Sequence, residues 1–221
     1  MKNPTQISTV ISSNREKLGK LKKNIYHKRL FIGIEAKDFA EYVRLNGEII
    51  FRKKGENKAF DIDKDNYENL NEIFYYILGS KKFKGDLSKG LWLWSEQTGT
   101  GKTTILEIVC NLINDAAGRT LKIILAQEIK EKLEEFGYQY FEKNILFIDD
   151  LGRESKEVNI YGTKSKPMQE IIFRREKLGS WTFATCQRNI DSLNKLYAPP
   201  VISRMEKMFN QIEFKGKDRR K

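Results

Sequence analysis

Histidine and cysteine are nearly absent from this chain: its 221 residues include one histidine, His27, and two cysteines, Cys110 and Cys186. A single imidazole excludes a Ser-His-Asp triad with a histidine to spare, and any His-rich metal site. The cysteines are far apart, outside any C-x-x-C arrangement, and each lies in an apolar segment. They read as small buried side chains, not as a zinc knuckle, a redox pair or a disulfide framework. No apolar run approaches the roughly 20 residues of a membrane span, and the opening MKNPTQISTV lacks the apolar stretch of a secretory signal. A cytoplasmic protein with no membrane partner is therefore expected. The chemistry left to it runs on carboxylates, Lys, Arg, Thr and backbone amides, a set suited to phosphate.

Positive charge is what the chain has in excess. Lys and Arg number 41 against 30 Asp and Glu, a net charge of +11. That imbalance points to a polyanionic partner, nucleic acid before membrane. At 39% hydrophobic and 32% charged, the composition fits one soluble domain, or one domain with an accessory segment. Residues 1–30 are polar and basic, with Arg15, Lys17, Lys20, Lys22, Lys23, Lys28 and Arg29 among few large apolar side chains. They read as an arm, a solvated helix or a binding segment. A helix is predicted at 36–44, a short strand at 48–52, and an amphipathic helix at 69–79 closed by Gly79.

Beyond Lys89 strands and helices alternate. Apolar runs at 90–94, 121–126, 145–148, 181–185 and 211–214 predict five strands. Helices are predicted from Lys102, over 128–136, and from Pro167 at its favoured first turn. Continuous apolar strands alternating with helices imply an α/β fold with a parallel five-stranded sheet and helices on both faces. A ligand in such a fold lies off the carboxyl ends of the strands.

Two motifs stand at those ends. Residues 95–104 (SEQTGTGKTT) leave the first strand and enter a helix. Gly99, Thr100, Gly101, Lys102 and Thr103 match the second half of a P-loop, and Thr104 follows on the helix. Glycines let backbone amides turn towards a phosphate, and the helix N-terminus adds the positive end of its dipole. Lys102 would reach the β- and γ-phosphates of ATP, and the Thr103 hydroxyl would ligate Mg²⁺. Glu96 stands where the motif has its first glycine, a Cβ and a charge that could perturb the loop or repel phosphate. The second motif is 145–150 (ILFIDD), four apolar residues running into adjacent carboxylates. Side by side they repel unless a cation intervenes. Asp149 would hold the metal, directly or through water, and Asp150 would orient the attacking water.

The strand at 121–126 lies between the two motifs, an arrangement resembling the additional-strand P-loop ATPases and not nucleoside kinases or small GTPases. Together with Asp149-Asp150-Leu151-Gly152, Ser203-Arg204-Met205, Phe209 and Gly216-Lys217-Asp218-Arg219-Arg220, it resembles the DnaC/IstB-like AAA+ ATPases: helicase loaders and transposition helpers. Asn159-Ile160-Tyr161-Gly162, Glu170-Ile171-Ile172 and Arg174 extend the resemblance, which runs from about Asp61 to the C-terminus. It implies an AAA+ fold, without a separate C-terminal lid domain, over residues 81–221, and a basic, mixed partner-binding segment over residues 1–80. It implies ATP hydrolysis, slow and stimulated by DNA or assembly, with Asp150 catalytic. A polar sensor for the attacking water would be Gln187, with Thr185 a second candidate, and Arg204 would be an arginine finger for a neighbouring subunit. Arg219 or Arg220 would be a second nucleotide sensor, or else part of a basic tail with Lys215, Lys217 and Lys221. The implied partners are single-stranded DNA, a replicative helicase or a transposase, and further copies of the chain in an ATP-dependent homo-oligomer. Candidate DNA contacts are Lys122, Lys130 and Lys132, with Phe136, Tyr138, Tyr140 and Phe141 nearby; the aromatics could equally be packing. Three readings stay open: a helicase loader in DNA replication, an IstB-like transposition helper, and a nucleotide-gated scaffold that does not hydrolyse.

Overall fold

Phe39, Tyr42, Val43, Asn46, Gly47 and Ile50 recur at three- and four-residue spacing, and the backbone follows them as one helix, α1 (Ala36–Lys53). The strand expected at 48–52 does not form. The stretch Ile49-Ile50-Phe51 has strand propensity, but the buried stripe that crosses it has helical period, and packing overrides local preference. Two members of that stripe are not apolar. The Asn46 amide donates to the Tyr42 carbonyl at 3.3 Å, and Gly47 leaves room for the Phe60 ring, which occupies the space a Cβ would need.

The computed structural model describes residues 31–117, 121–160 and 162–219. They form two compact units, 31–87 with 104–117, and 88–103 with the described residues from 121 onward. Besides α1, the first unit holds α2 (Tyr67–Leu78) and all but the first two residues of α3 (Lys102–Ala117). Gly79 ends α2 in the left-handed conformation, φ 65°, as the sequence predicts. Phe39 and Phe74 join α1 to α2 with ring centroids 5.2 Å apart. The Tyr42 hydroxyl donates to Asp115 Oδ2 at 2.7 Å, joining α1 to α3.

The second unit is built on a sheet. Along the chain come β1 (Gly90–Trp94), β2 (Lys122–Leu125), α4 (Ile129–Phe136), α5 (Gln139–Glu142) and β3 (Leu146–Leu151). Then follow a hairpin of β4 (Val158–Ile160) and β5 (Thr163–Ser165), α6 (Pro167–Leu178), β6 (Thr182–Cys186), α7 (Ile190–Leu193), α8 (Pro199–Met208) and β7 (Phe209–Glu213). Five strands pair in parallel in the order β2-β3-β6-β1-β7. This is the α/β architecture the apolar runs predict. Trp92, Ile124, Ile148 and Ala184 share one core cluster with residues of α4, α6 and α8. The alternate residues Leu91, Leu93, Phe147 and Phe183 are fully buried too.

A buried guanidinium fixes the entry to β3. Arg175 of α6 donates to Thr182 Oγ1 at 2.9 Å, to the carbonyls of Asn144 at 3.1 Å and Trp181 at 2.7 Å, and to that of Phe141. Burial pulls its pKa down to about 9. Both cysteines are buried and free, and Cys186 Sγ donates to the Leu151 carbonyl at 3.0 Å. Among the described residues no helix is long and apolar enough to cross a membrane.

Candidate active site

The loop of residues 95–101 leaves the carboxyl end of β1 and delivers the chain to the first turn of α3. Its start is anchored to β6, the Ser95 amide donating to the Cys186 carbonyl at 3.2 Å. Gly99 and Gly101 have φ of 71° and 91°, in the left-handed region where a side chain is strained. Glu96 is exposed and has no positive φ, so the backbone at the motif's missing glycine accepts a Cβ. Thr100 and Lys102 are buried. Lys102 folds back over the loop, its Nζ donating to the Gln97 carbonyl and to Thr100 Oγ1, each at 3.2 Å.

Opposite the loop, β3 is irregular. Ile148 pairs with Ala184 and Leu151 with Cys186, so Asp149 and Asp150 together face Thr185 alone. Two residues against one is a β-bulge, which re-aims side chains at a strand end. A regular strand would send these carboxylates to opposite faces. The strand thus continues to Leu151, beyond the 145–148 read from the apolar run. Asp150 has φ 58°, unusual for any residue but glycine and least costly for Asn or Asp.

Thr185 closes the bulge. Its hydroxyl accepts the Asp150 N–H at 2.9 Å and donates to Asp149 Oδ1. The same carboxylate oxygen accepts from Thr103 Oγ1 at 2.9 Å. The two residues expected to share a metal are therefore already in contact, and Thr185 is tied to both acids. Asp149 is only 7% exposed, and burial raises its pKa against the opposing pull of the two hydroxyls. A buried ionised carboxylate is a cost to the fold that a cation beside it would offset. Among the described residues no three His, Cys, Asp or Glu side chains converge on a metal site.

Replacing Thr185 by Val keeps the shape but leaves the Asp150 N–H without its acceptor and Asp149 without one donor. The expected loss is about 1–3 kcal/mol, read as a melting temperature lower by about 2–4 °C per kcal/mol in a chain of this size. Thr185→Ser should recover most of it.

The loop after β3 is held by groups the sequence reading did not single out. Arg153 Nη1 lies 3.4 Å from Asp150 Oδ2. Glu154 accepts the Gly152 N–H at 2.8 Å and the Tyr197 hydroxyl. Arg153 stands three residues beyond Asp150, a spacing readable in the sequence; Tyr197 gave no such signal. Gln187 follows the end of β6 and is partly exposed. Arg204, in mid-α8, lies over the Phe173 ring at 4.4 Å, with its Nε 3.8 Å from Glu176 Oε2 and its Nη1 donating to the Pro200 carbonyl at 2.9 Å. These contacts are on α6 and its own helix, not on the loop of residues 95–101.

The C-terminal segment reaches the loop. β7 runs parallel to β1, with Glu213 beside Trp94, and the Phe214 amide donates to the Trp94 carbonyl at 2.8 Å. Continuing alongside, the Arg219 amide donates to the Gly99 carbonyl at 2.9 Å. The Asp218 carboxylate fills the space where Gly99 would carry a Cβ. Arg220 lies outside the described residues.

The candidate DNA contacts separate by burial. Phe141 is in the core and Tyr138 is hydrogen-bonded to Ser165 Oγ at 2.5 Å. Phe136 and Tyr140 stack with centroids 5.0 Å apart, and Phe136 is 41% exposed. Lys122 Nζ lies 3.6 Å from the Tyr140 centroid, and burial, with the Arg175 charge, lowers its pKa. On α4, Lys130 and Lys132 pair with Glu134 at 3.9 Å and Glu135 at 3.3 Å. The lysines of that helix are paired with its own acids and make no basic track; the stacking pair joins its last residue, Phe136, to Tyr140 of α5.

No protein-family model matches this chain, and no curated protein matches it. Solved structures do. DnaI superposes with a TM-score of 0.56 at 20% identity, over 72% of this chain and 87% of that one. A candidate primosome component from Streptococcus pyogenes serotype M3 gives 0.54 at 17% identity, over 71% and 83%. The DnaC helicase loader gives 0.51 at 20% identity, over 71% and 93%. At these identities the likeness is one of fold: the chain resembles the DnaC-like P-loop AAA+ proteins in architecture, as its motifs do in sequence.

Proposed function

We propose that this chain is an ATPase of the helicase-loader type, which binds ATP with Mg²⁺ and works in DNA replication as an ATP-dependent homo-oligomer. The observation that carries this reading is the contact of Thr103 and Thr185 with Asp149 beside the phosphate loop. The amides of Gly99, Thr100 and Gly101 and the first turn of α3, with Thr104, would receive the phosphates, and Lys102 would turn from Gln97 and Thr100 to the β- and γ-phosphoryl oxygens. Thr103 and Asp149 would hold Mg²⁺, which would supply charge neutralisation at the phosphates. Asp150 would orient the attacking water, with Gln187 the polar sensor near it and Thr185 holding the acids in place. Arg204 would serve the site of a neighbouring copy.

The distribution of charge supports a nucleic-acid partner and says where it would be held. Residues 31–214 contain as many acidic as basic side chains, so the whole excess of +11 lies in the first 30 residues and the last seven. Phosphate contacts would come from those two ends. Phe136 and Tyr140 would supply stacking to single-stranded DNA. Residues 1–80 would engage the protein partner, a replicative helicase in the leading reading and a transposase in the alternative one, and residues 81–221 would be the ATPase, in the cytoplasm. A reading as a nucleotide-gated scaffold draws on the Arg153–Asp150 ion pair, which occupies the carboxylate that turnover needs.

Steady-state hydrolysis by the purified protein, with and without single-stranded DNA, tests the proposal. Turnover should rise with DNA, and the stimulation should weaken with salt. Tight ATP binding with no turnover under any condition would replace the ATPase by the scaffold. In the same assay Arg204→Ala should leave ATP affinity unchanged and lower assembly-dependent turnover about 10³-fold. Mixing it with Lys102→Ala protein should restore activity, because one variant keeps the site and the other the finger.

A further inference from the structure

We propose that Asp218 is a built-in competitor for the phosphate loop, so that ATP binds as the segment 215–219 lifts away from Gly99. This rests on reading residues 95–104 as a phosphate loop. Three contacts place the segment there. The parallel pairing of β7 with β1 extends one residue past the strands, through the Phe214 amide on the Trp94 carbonyl. The chain beyond β7 is thereby set to follow the chain beyond β1. The Arg219 amide then takes the Gly99 carbonyl at 2.9 Å. Between them the Asp218 carboxylate lies against the Cα of Gly99, in the one volume that a residue without a side chain leaves open. The Arg219 side chain runs beside the loop as well, its Cδ 3.7 Å from where Gly101 would carry a Cβ.

The chemistry is that of a binding site meeting a charge of the kind it is built to hold. Loop amides, the amino end of α3 and Lys102 all favour an anion. Asp218 brings a carboxylate to this loop from within the chain, covalently linked and so at high local concentration. A nucleoside triphosphate has to approach against that charge, and close like charges repel strongly at a partly buried site. The segment is built to move. It lies past the last strand, outside the sheet's ladder, and Gly216 has φ 128°. Its neighbours Lys215 and Lys217 are exposed.

The test is equilibrium binding of a fluorescent ATP analogue to the full chain and to Asp218→Asn, Asp218→Ala and Lys102→Ala variants. Asp218→Asn keeps the size and removes the charge, and should bind about tenfold tighter than the parent, the equivalent of one charge-assisted contact. Asp218→Ala should do the same, which guards against an effect peculiar to the amide. Nucleotide should also speed hydrogen exchange at the Arg219 amide in the parent chain. Affinity unchanged or weakened in both Asp218 variants, with the parent binding normally, overturns the proposal and makes the segment a brace for the loop. If the parent and every variant fail to bind, the phosphate-loop reading itself falls, and this inference with it.

Discussion

Lys102→Ala should bind ATP about 10²-fold more weakly than the parent chain, or worse, because two charge-assisted contacts to phosphate go with the amine. The structure allows this loss to be separated from unfolding. Lys102 Nζ donates to groups of its own loop, the Gln97 carbonyl and Thr100 Oγ1. Neither of these bonds belongs to the sheet. The loop's anchors to its surroundings, Ser95 on the Cys186 carbonyl and Gly99 under the Arg219 amide, are backbone bonds and survive the substitution. A melting temperature close to the parent's with nucleotide binding gone is therefore the expected pair of results. Unchanged affinity for ATP would remove the assignment of residues 95–104 as a phosphate loop.

Asp150→Asn should spare ATP binding and lower turnover by about 10²–10⁴-fold, the usual worth of a positioned acid–base group. The substitution is unusually clean here. At φ 58° a bulky residue would be strained, whereas Asn adopts the left-handed conformation about as readily as Asp. Its backbone N–H keeps the bond to Thr185. What is lost besides the carboxylate is the ion pair to Arg153, a partly exposed contact of little net energy. Equal loss of binding and turnover would move Asp150 from orienting water to holding the metal.

The strands and both motifs were legible because burial on both faces leaves runs of apolar residues that no loop imitates. Gly90 to Trp94 is the clearest case. The first helix was misread for the converse reason. Asn46 and Gly47 belong to its buried stripe, one because its amide caps a carbonyl of the previous turn and the other because Phe60 needs its missing Cβ. An eye for apolar residues skips both. The bulge was not legible at all. Ile148-Asp149-Asp150-Leu151 reads identically whether two residues face one or two face two, and only the pairing with β6 decides. Nor does the sequence place Asp218 against Gly99, since that contact follows from β7 lying next to β1, a neighbour relation set by the order of strands. The sequence reading named Thr185 as a second candidate for a polar sensor. What only the structure adds is that one hydroxyl holds both acids.

That single hydroxyl has a mechanical consequence. Asp149 and Asp150 amount to one residue of slack in a strand that is otherwise taut between Ile148 and Leu151, and Thr185 is the fastener across the slack. Both carboxylates are therefore carried by the alignment of two strands. A displacement of β6 along its axis, originating at either of its ends, would shift the two acids together and change their reach to the phosphate loop. On the proposed function, residues remote from the two acids, such as Arg175 bonded to Thr182 at the amino end of β6, would then act as tuning pegs for the site. Changes made there should alter the rate without touching a catalytic group.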